Sequence, residues 1–166
     1  MVVMEKRPFL SLITTCLLLF SLLPTRSLFA RVSPVVYLPI VKTSYPFVKT
    51  AVSPAYLQNF ANNAGCNWLG MAGELQDAEG KPMGAGAYQV HVWGSGIDNR
   101  VLIGSVTAYS PAGWEVYLFS SPVVRSYQVQ LELVDGQTAV SPIYTVTTRA
   151  SCSENLVRFD FQTNQP

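Results

Sequence analysis

Along most of the chain, apolar and polar residues alternate with a period of two, the pattern of half-buried strands. The clearest run covers residues 126–134: Tyr127, Val129, Leu131 and Leu133 lie on one face, and Gln128, Gln130 and Glu132 on the other. Residues 88–93 alternate in the same way ahead of Gly94-Ser95-Gly96, and residues 156–162 set Val157, Phe159 and Phe161 against Arg158 and Asp160. Further strands are predicted over 69–75, 101–107, 114–119 and 143–148. Asp77-Ala78-Glu79-Gly80, Ser110-Pro111-Ala112-Gly113 and Asp135-Gly136 supply the turn chemistry between them. No window after residue 65 carries a helical stripe. Seven short strands with turns between them predict an all-β fold, a two-sheet antiparallel Greek-key sandwich.

The period-two pattern is absent from the first third of the chain. Residues 9–23, FLSLITTCLLLFSLL, are uncharged, follow Lys6 and Arg7, and stop at Pro24. Such a run spans about 22 Å as a helix, short of a bilayer core. A basic start, a short apolar middle and a helix-breaking proline are the parts of a secretory signal peptide over residues 1–30, with cleavage after Ser27 or Ala30. The alternative is an uncleaved anchor, in which the chain meets the membrane only through residues 9–23. Residues 31–65 read as a Pro-containing extended linker: Pro34, Pro39, Pro46 and Pro54 are too frequent for a helix and awkward for a central strand. Within it Val35, Val36, Tyr37, Leu38, Ile40 and Val41 make an apolar patch suited to an edge strand or a docking segment. Residues 54–62 suggest a turn or two of helix, with Leu57 and Phe60 on one side. The sandwich domain is placed at 66–166.

Composition narrows the chemistry. Charged residues are 13% of the 166, with eleven basic against ten acidic groups and no basic cluster, which argues against nucleic acid as a partner. Loss of residues 1–30 removes Lys6, Arg7, Arg26 and Glu5, leaving a net charge of −1, and it also removes Cys16. The remaining Cys66 and Cys152 form an even set outside a reducing cytosol, which predicts one disulfide. Such a bridge closes a loop spanning most of the domain and contributes about 4–5 kcal/mol in the chain-entropy view.

Candidate catalytic groups are few. His91 is the only histidine, and the alternation sets it on an outward face with Gln89 and Trp93. A Ser-His-Asp arrangement therefore has a single candidate base. Metal binding through cysteine lacks the C-x-x-C spacing. Asp77, Glu79, Asp98 and Asn99 read as turn residues rather than a calcium loop. The Gly-Ser-Gly at 94–96 is followed by no phosphate-loop residues, and no motif singles out a carboxylate pair. No catalytic residue, metal ligand or cofactor is expected. Among the tryptophans, Trp114 heads a core stripe, Trp68 is expected to pack on the bridge, and Trp93 is expected to be exposed. Gln89, His91 and Trp93 are thus the candidate ligand-binding residues, with cell-surface polysaccharide or protein as the partner.

The stretch from Gly70 through Asp77-Ala78-Glu79-Gly80, Pro82 and Gly84, followed by Tyr88-Gln89-Val90-His91-Val92-Trp93-Gly94, resembles the opening of carboxypeptidase regulatory-like domains. Thr107 and Gly113-Trp114-Glu115-Val116 look like the family's next recurring piece, so the resemblance covers residues 66–134. Two extra residues between Pro82 and Gly94 depart from the pattern. So does the ending from Cys152 to Phe159, which, with Tyr37-Leu38-Pro39-Ile40-Val41, looks like small secreted bacterial proteins. The resemblance implies a transthyretin-like sandwich without catalytic residues, serving as a support, spacer or surface module. The expected function is a non-catalytic module, secreted or at the cell surface, in a structural or interaction role. The alternative is a carbohydrate-binding module that uses the Gln89/His91/Trp93 face.

Overall fold

The computed structural model describes residues 44–164. The signal peptide expected over 1–30 and the apolar patch at 35–41 lie outside the described residues. Ten strands follow in order: β1 (Phe47–Lys49), β2 (Ala55–Leu57), β3 (Leu69–Gln76), β4 (Tyr88–Gly94), β5 (Ile97–Leu102), β6 (Gly113–Phe119), β7 (Ser126–Leu133), β8 (Tyr144–Thr147), β9 (Leu156–Arg158) and β10 (Phe161–Thr163). They form a six-stranded sheet, ordered β1-β10-β3-β9-β2 with β6 on the other side of β3, and a four-stranded sheet, β5-β4-β7-β8. After β4, β5 and β6 the chain returns to place β7 beside β4, the Greek-key step.

The all-β sandwich is as expected, but ten strands replace seven: β1 and β2 are additional, and the strand expected at 156–162 is broken into β9 and β10. β1 and β2 pair antiparallel with β10 and β9, and those two pair with β3. Both pairings with β3 are parallel, so the larger sheet is mixed rather than antiparallel. Parallel neighbours need a long crossover, and here almost the whole domain serves as that crossover.

The break has a physical cause at Gly73. The carbonyl oxygen of Phe159 lies 1.9 Å from where a Cβ on Gly73 would stand, so the backbone between β9 and β10 arches over a residue with no side chain. The arch is fastened on its far side: Asp160 N–H donates to Ser53 Oγ (2.8 Å), and Thr50 N–H donates to the Asp160 carbonyl (2.9 Å).

Three sequence expectations are corrected. The linker does not extend to residue 65, since Phe47–Lys49 and Ala55–Leu57 form an edge of the larger sheet. Pro46 and Pro54 each stand one residue ahead of a strand, where a missing N–H costs no ladder bond. Residues 54–62 form no helix; after β2, Asn59 and Asn62 cap their own loop, accepting from Ala61 N–H and Ala64 N–H at 3.0 and 3.1 Å. The strand expected at 101–107 lies earlier, as β5. As a sheet edge, β5 exposes Asp98, Asn99 and Arg100, which hides its alternation.

Between the sheets, Leu69, Met71, Leu75, Trp114, Val116, Leu118, Val157, Phe159 and Phe161 meet Val90, Val92, Tyr127, Val129, Leu131 and Val146. These are the inward positions that the alternation predicts, and Trp114 is fully buried. Trp68, Ala72 and Leu156 make a second apolar cluster on the outer face of the larger sheet, under Tyr109 and Ala64. Trp68 lies across Gly70, whose Cβ position is 2.1 Å from the indole.

Cys66 and Cys152 are bridged, with Cα atoms 5.1 Å apart and a sequence separation of 86. Each sits in a 3-10 turn, Gly65–Asn67 or Cys152–Glu154, just ahead of β3 or β9. Those strands are hydrogen-bonded neighbours, so the bridge fixes the entry to a pair already in register.

Candidate functional site

The outer face of the four-stranded sheet carries the candidate residues in rows set by register. His91 stands between Arg100 on β5 and Gln130 on β7; Trp93 stands between Asp98 and Gln128; Gln89 stands between Leu102 and Glu132. Directly opposed side chains lie about 4.5–5.5 Å apart, so these nine positions form three adjacent, mostly polar rows, of which Gln89, Gln130 and Glu132 are buried.

His91 is held on both ring nitrogens: Nε2 lies 2.7 Å from Asp98 Oδ1, and Nδ1 lies 3.0 Å from Glu132 Oε1. Arg100 closes the ring of contacts, donating from Nε to Glu132 Oε2 (3.1 Å) with Nη2 3.1 Å from His91 Nδ1. When Nε2–H donates to Asp98, Nδ1 either donates to Glu132 or accepts from Arg100, but not both. With both ring nitrogens protonated the cluster holds two positive and two negative charges. Gln89 Nε2 donates to Glu132 at 3.4 Å, and both residues are buried.

The long β7–β8 connection supplies that burial. Ser141 accepts from Gln130 Nε2 through its carbonyl and from Leu131 N–H through its hydroxyl, at 3.0 and 2.9 Å. Gly136 lies over Gln89 and Arg100.

Trp93 is half-buried rather than open, and this corrects the expectation of an exposed ring. Its indole is stacked on the His91 imidazole, with centroids 4.2 Å apart and planes at 28°. The structure therefore brings Gln89, His91 and Trp93 together on one face. It assigns Gln89 and His91 to internal hydrogen bonds. Asp98 and Arg100 were hidden by the misplaced β5, although the alternation of β7 had already set Gln128, Gln130 and Glu132 outward.

The turn beside this face has a pH signature. Asp135 accepts from the N–H groups of Gln137 and Thr138 at 2.9 Å each and from Thr138 Oγ1 at 2.7 Å. These bonds, the Gln137 N–H first, hold its carboxyl below the usual carboxylate range. The turn's contribution is complete above the unfolded carboxylate pKa and is lost as pH falls through the lower folded value. The melting difference between the native chain and Asp135→Ala should therefore be largest near neutrality and shrink in strong acid. A difference that grows on acidification would contradict this assignment.

A second polar cluster lies on the outer face of the larger sheet. Arg158 donates to Glu74 (3.0 Å) and Asp160 (2.7 Å), and Glu74 N–H donates to Asp160 Oδ1 (2.9 Å). Burial pushes the Asp160 carboxyl up, against the pull of Arg158 and the Glu74 N–H. Its sign is opposite to that of Asp135: stability from this group declines as pH rises from the ordinary carboxylate value through the raised one. Burial and the adjacent Glu115, to which the Tyr109 O–H donates a hydrogen bond, push the Tyr109 hydroxyl far above the usual phenol range. These groups tie the β9–β10 break to β3, with their polar atoms aimed at one another.

Among the described residues, no group of three or more His, Cys, Asp or Glu side chains is placed to hold a metal ion, and no helix is long and apolar enough to cross a membrane. A shallow recess of about 150 Å³ is lined by Pro82, Met83, Gly84, Ala85, Pro111 and Ala112, without a charged side chain. It is smaller than typical ligand pockets. No family model, no curated protein and no solved structure matches the chain.

Proposed function

We propose that the chain is a non-catalytic β-sandwich module that works outside the cytoplasm, secreted or at the cell surface, in a structural or interaction role. The observation that carries this reading is the state of the only histidine. His91 is clamped between two carboxylates and a guanidinium and hydrogen-bonds to no hydroxyl or thiol among the described residues, so its contacts are those of a strut rather than an activated base. The Cys66–Cys152 bridge supports an oxidising compartment, as does the signal-like pattern of residues 1–30. A Greek-key sandwich is also the architecture implied by the carboxypeptidase regulatory-like, transthyretin-like resemblance, and membership of that class is part of the proposal.

The test is the purified chain incubated with chromogenic ester, glycoside and phosphoester substrates, beside the variant His91→Gln. No turnover is expected from either. The variant should lose about 1–2 kcal/mol of stability, because Glu132 stays buried with one partner fewer. Turnover by the native chain that His91→Gln abolishes would overturn the proposal.

A further inference from the structure

We infer that Trp93, Asp98 and Gln128 form a subsite for a neutral sugar ring of a polysaccharide. This rests on the module reading above and names the ligand class. The three side chains share one row of the outer face, with Asp98 on β5 and Gln128 on β7 directly opposite Trp93 on β4. Two strand spacings make that row about 10 Å wide, with an acceptor on one side of the indole and a donor on the other.

The ring is pre-arranged. One face rests on His91, which Asp98 and Glu132 fix in turn, so a ligand can stack only on the opposite face or meet the edge of the half-buried indole. Holding an aromatic ring in place before binding removes an ordering cost from the encounter. Apolar sugar faces stack on such rings, while their hydroxyls require both donors and acceptors nearby.

Those valences are present. Asp98 uses only Oδ1 within the described residues, toward His91 and Arg100, and its side chain is 69% exposed, so Oδ2 is open to a hydroxyl donor. Gln128 accepts from Thr145 Oγ1 through Oε1 at 3.1 Å, which leaves its Nε2 hydrogens to donate. Gln89 and His91 are positioning residues here, since their polar atoms are already engaged.

The local charge selects a neutral ligand. Asp98 and Glu132 face Arg100 and His91, so the surface has no excess positive charge to hold a uronate, sulfate or phosphate. Every strand of this face is already paired or at an edge, and the site needs no rearrangement to bind.

The experiment titrates the full chain with soluble β-glucan, mannan and galactan, and with polygalacturonate as the charged comparison, by calorimetry and tryptophan fluorescence. At least one neutral polymer should bind, with a change in Trp93 emission. Trp93→Ala should weaken binding about tenfold or more, and Asp98→Asn and Gln128→Ala about threefold to tenfold each, as expected for one stacking contact and single hydrogen bonds. Asp98→Asn changes an exposed group, so its melting midpoint should stay within a few degrees of the native value. The inference is overturned if none of the three neutral polymers binds, if binding survives both Trp93→Ala and Asp98→Asn, or if polygalacturonate is preferred. If binding fails while the chain still turns nothing over, the module reading stands and only this site falls; a polymer that is cut defeats the module reading itself.

Discussion

Replacing Gly73 with alanine should destabilise the domain by about 4 kcal/mol or prevent folding. The added methyl would stand 1.9 Å from the Phe159 carbonyl oxygen and 3.0 Å from Asp160 Oδ1. Neither neighbour can yield cheaply. Phe159 N–H donates to the Ala72 carbonyl at 2.7 Å, and its ring is fully buried between the sheets. Asp160 is fixed by Ser53, Arg158 and Glu74. Gly86→Ala is the internal comparison: nothing lies within 4 Å of that Cβ, and only a φ of +80° opposes it. That change should cost about 1 kcal/mol, the conformational penalty alone. Urea midpoints of the two variants decide the matter, and equal losses would show that β3 and the β9–β10 arch are not in the contact described.

The second large effect is expected at Asn155. Its side chain accepts from Asn59 N–H (2.8 Å) and donates to the carbonyls of Gly65 (2.7 Å) and Trp68 (3.0 Å), and it is 1% exposed. Asn155→Ala strands three backbone groups at the junction that the disulfide also fastens, at a cost of about 3 kcal/mol. Reduction of Cys66–Cys152 should cost about 2–4 kcal/mol by itself. Because both restraints hold the same entry to β3 and β9, their effects should not add: reduction should cost less in Asn155→Ala than in the native chain. Strict additivity in that cycle would place the two restraints in independent parts of the fold.

How much of this was legible depends on what each residue's neighbours are. Residues packed in alternation announced themselves: Tyr127, Val129 and Leu131 in β7, and Val157, Phe159 and Phe161 in β9 and β10, face the core as their period requires. The bridge was legible from two cysteines ahead of two strands. β1 and β2 were not, since three-residue strands flanked by prolines have no period to display. β5 was masked because a sheet edge leaves Asp98, Asn99 and Arg100 facing water, so polar residues stand where alternation is sought. The same masking hid half of the candidate site. His91 and Trp93 could be placed on a face from their own strand, but the carboxylate and guanidinium that hold the imidazole come from across the register. Asn155 gave no signal, because its role depends on the loop at 59–68 being folded against it.

The central claim, a disulfide-stapled sandwich working outside the cytoplasm, meets its most direct test in the intact mass of the chain as its own cell exports it, taken before and after reduction and thiol alkylation. The account predicts a polypeptide that has lost its first 27–30 residues, takes up no alkylating reagent while oxidised, and takes up two equivalents after reduction, at Cys66 and Cys152. Two free thiols in the unreduced protein, or a full-length chain recovered from the cytosol, would contradict it.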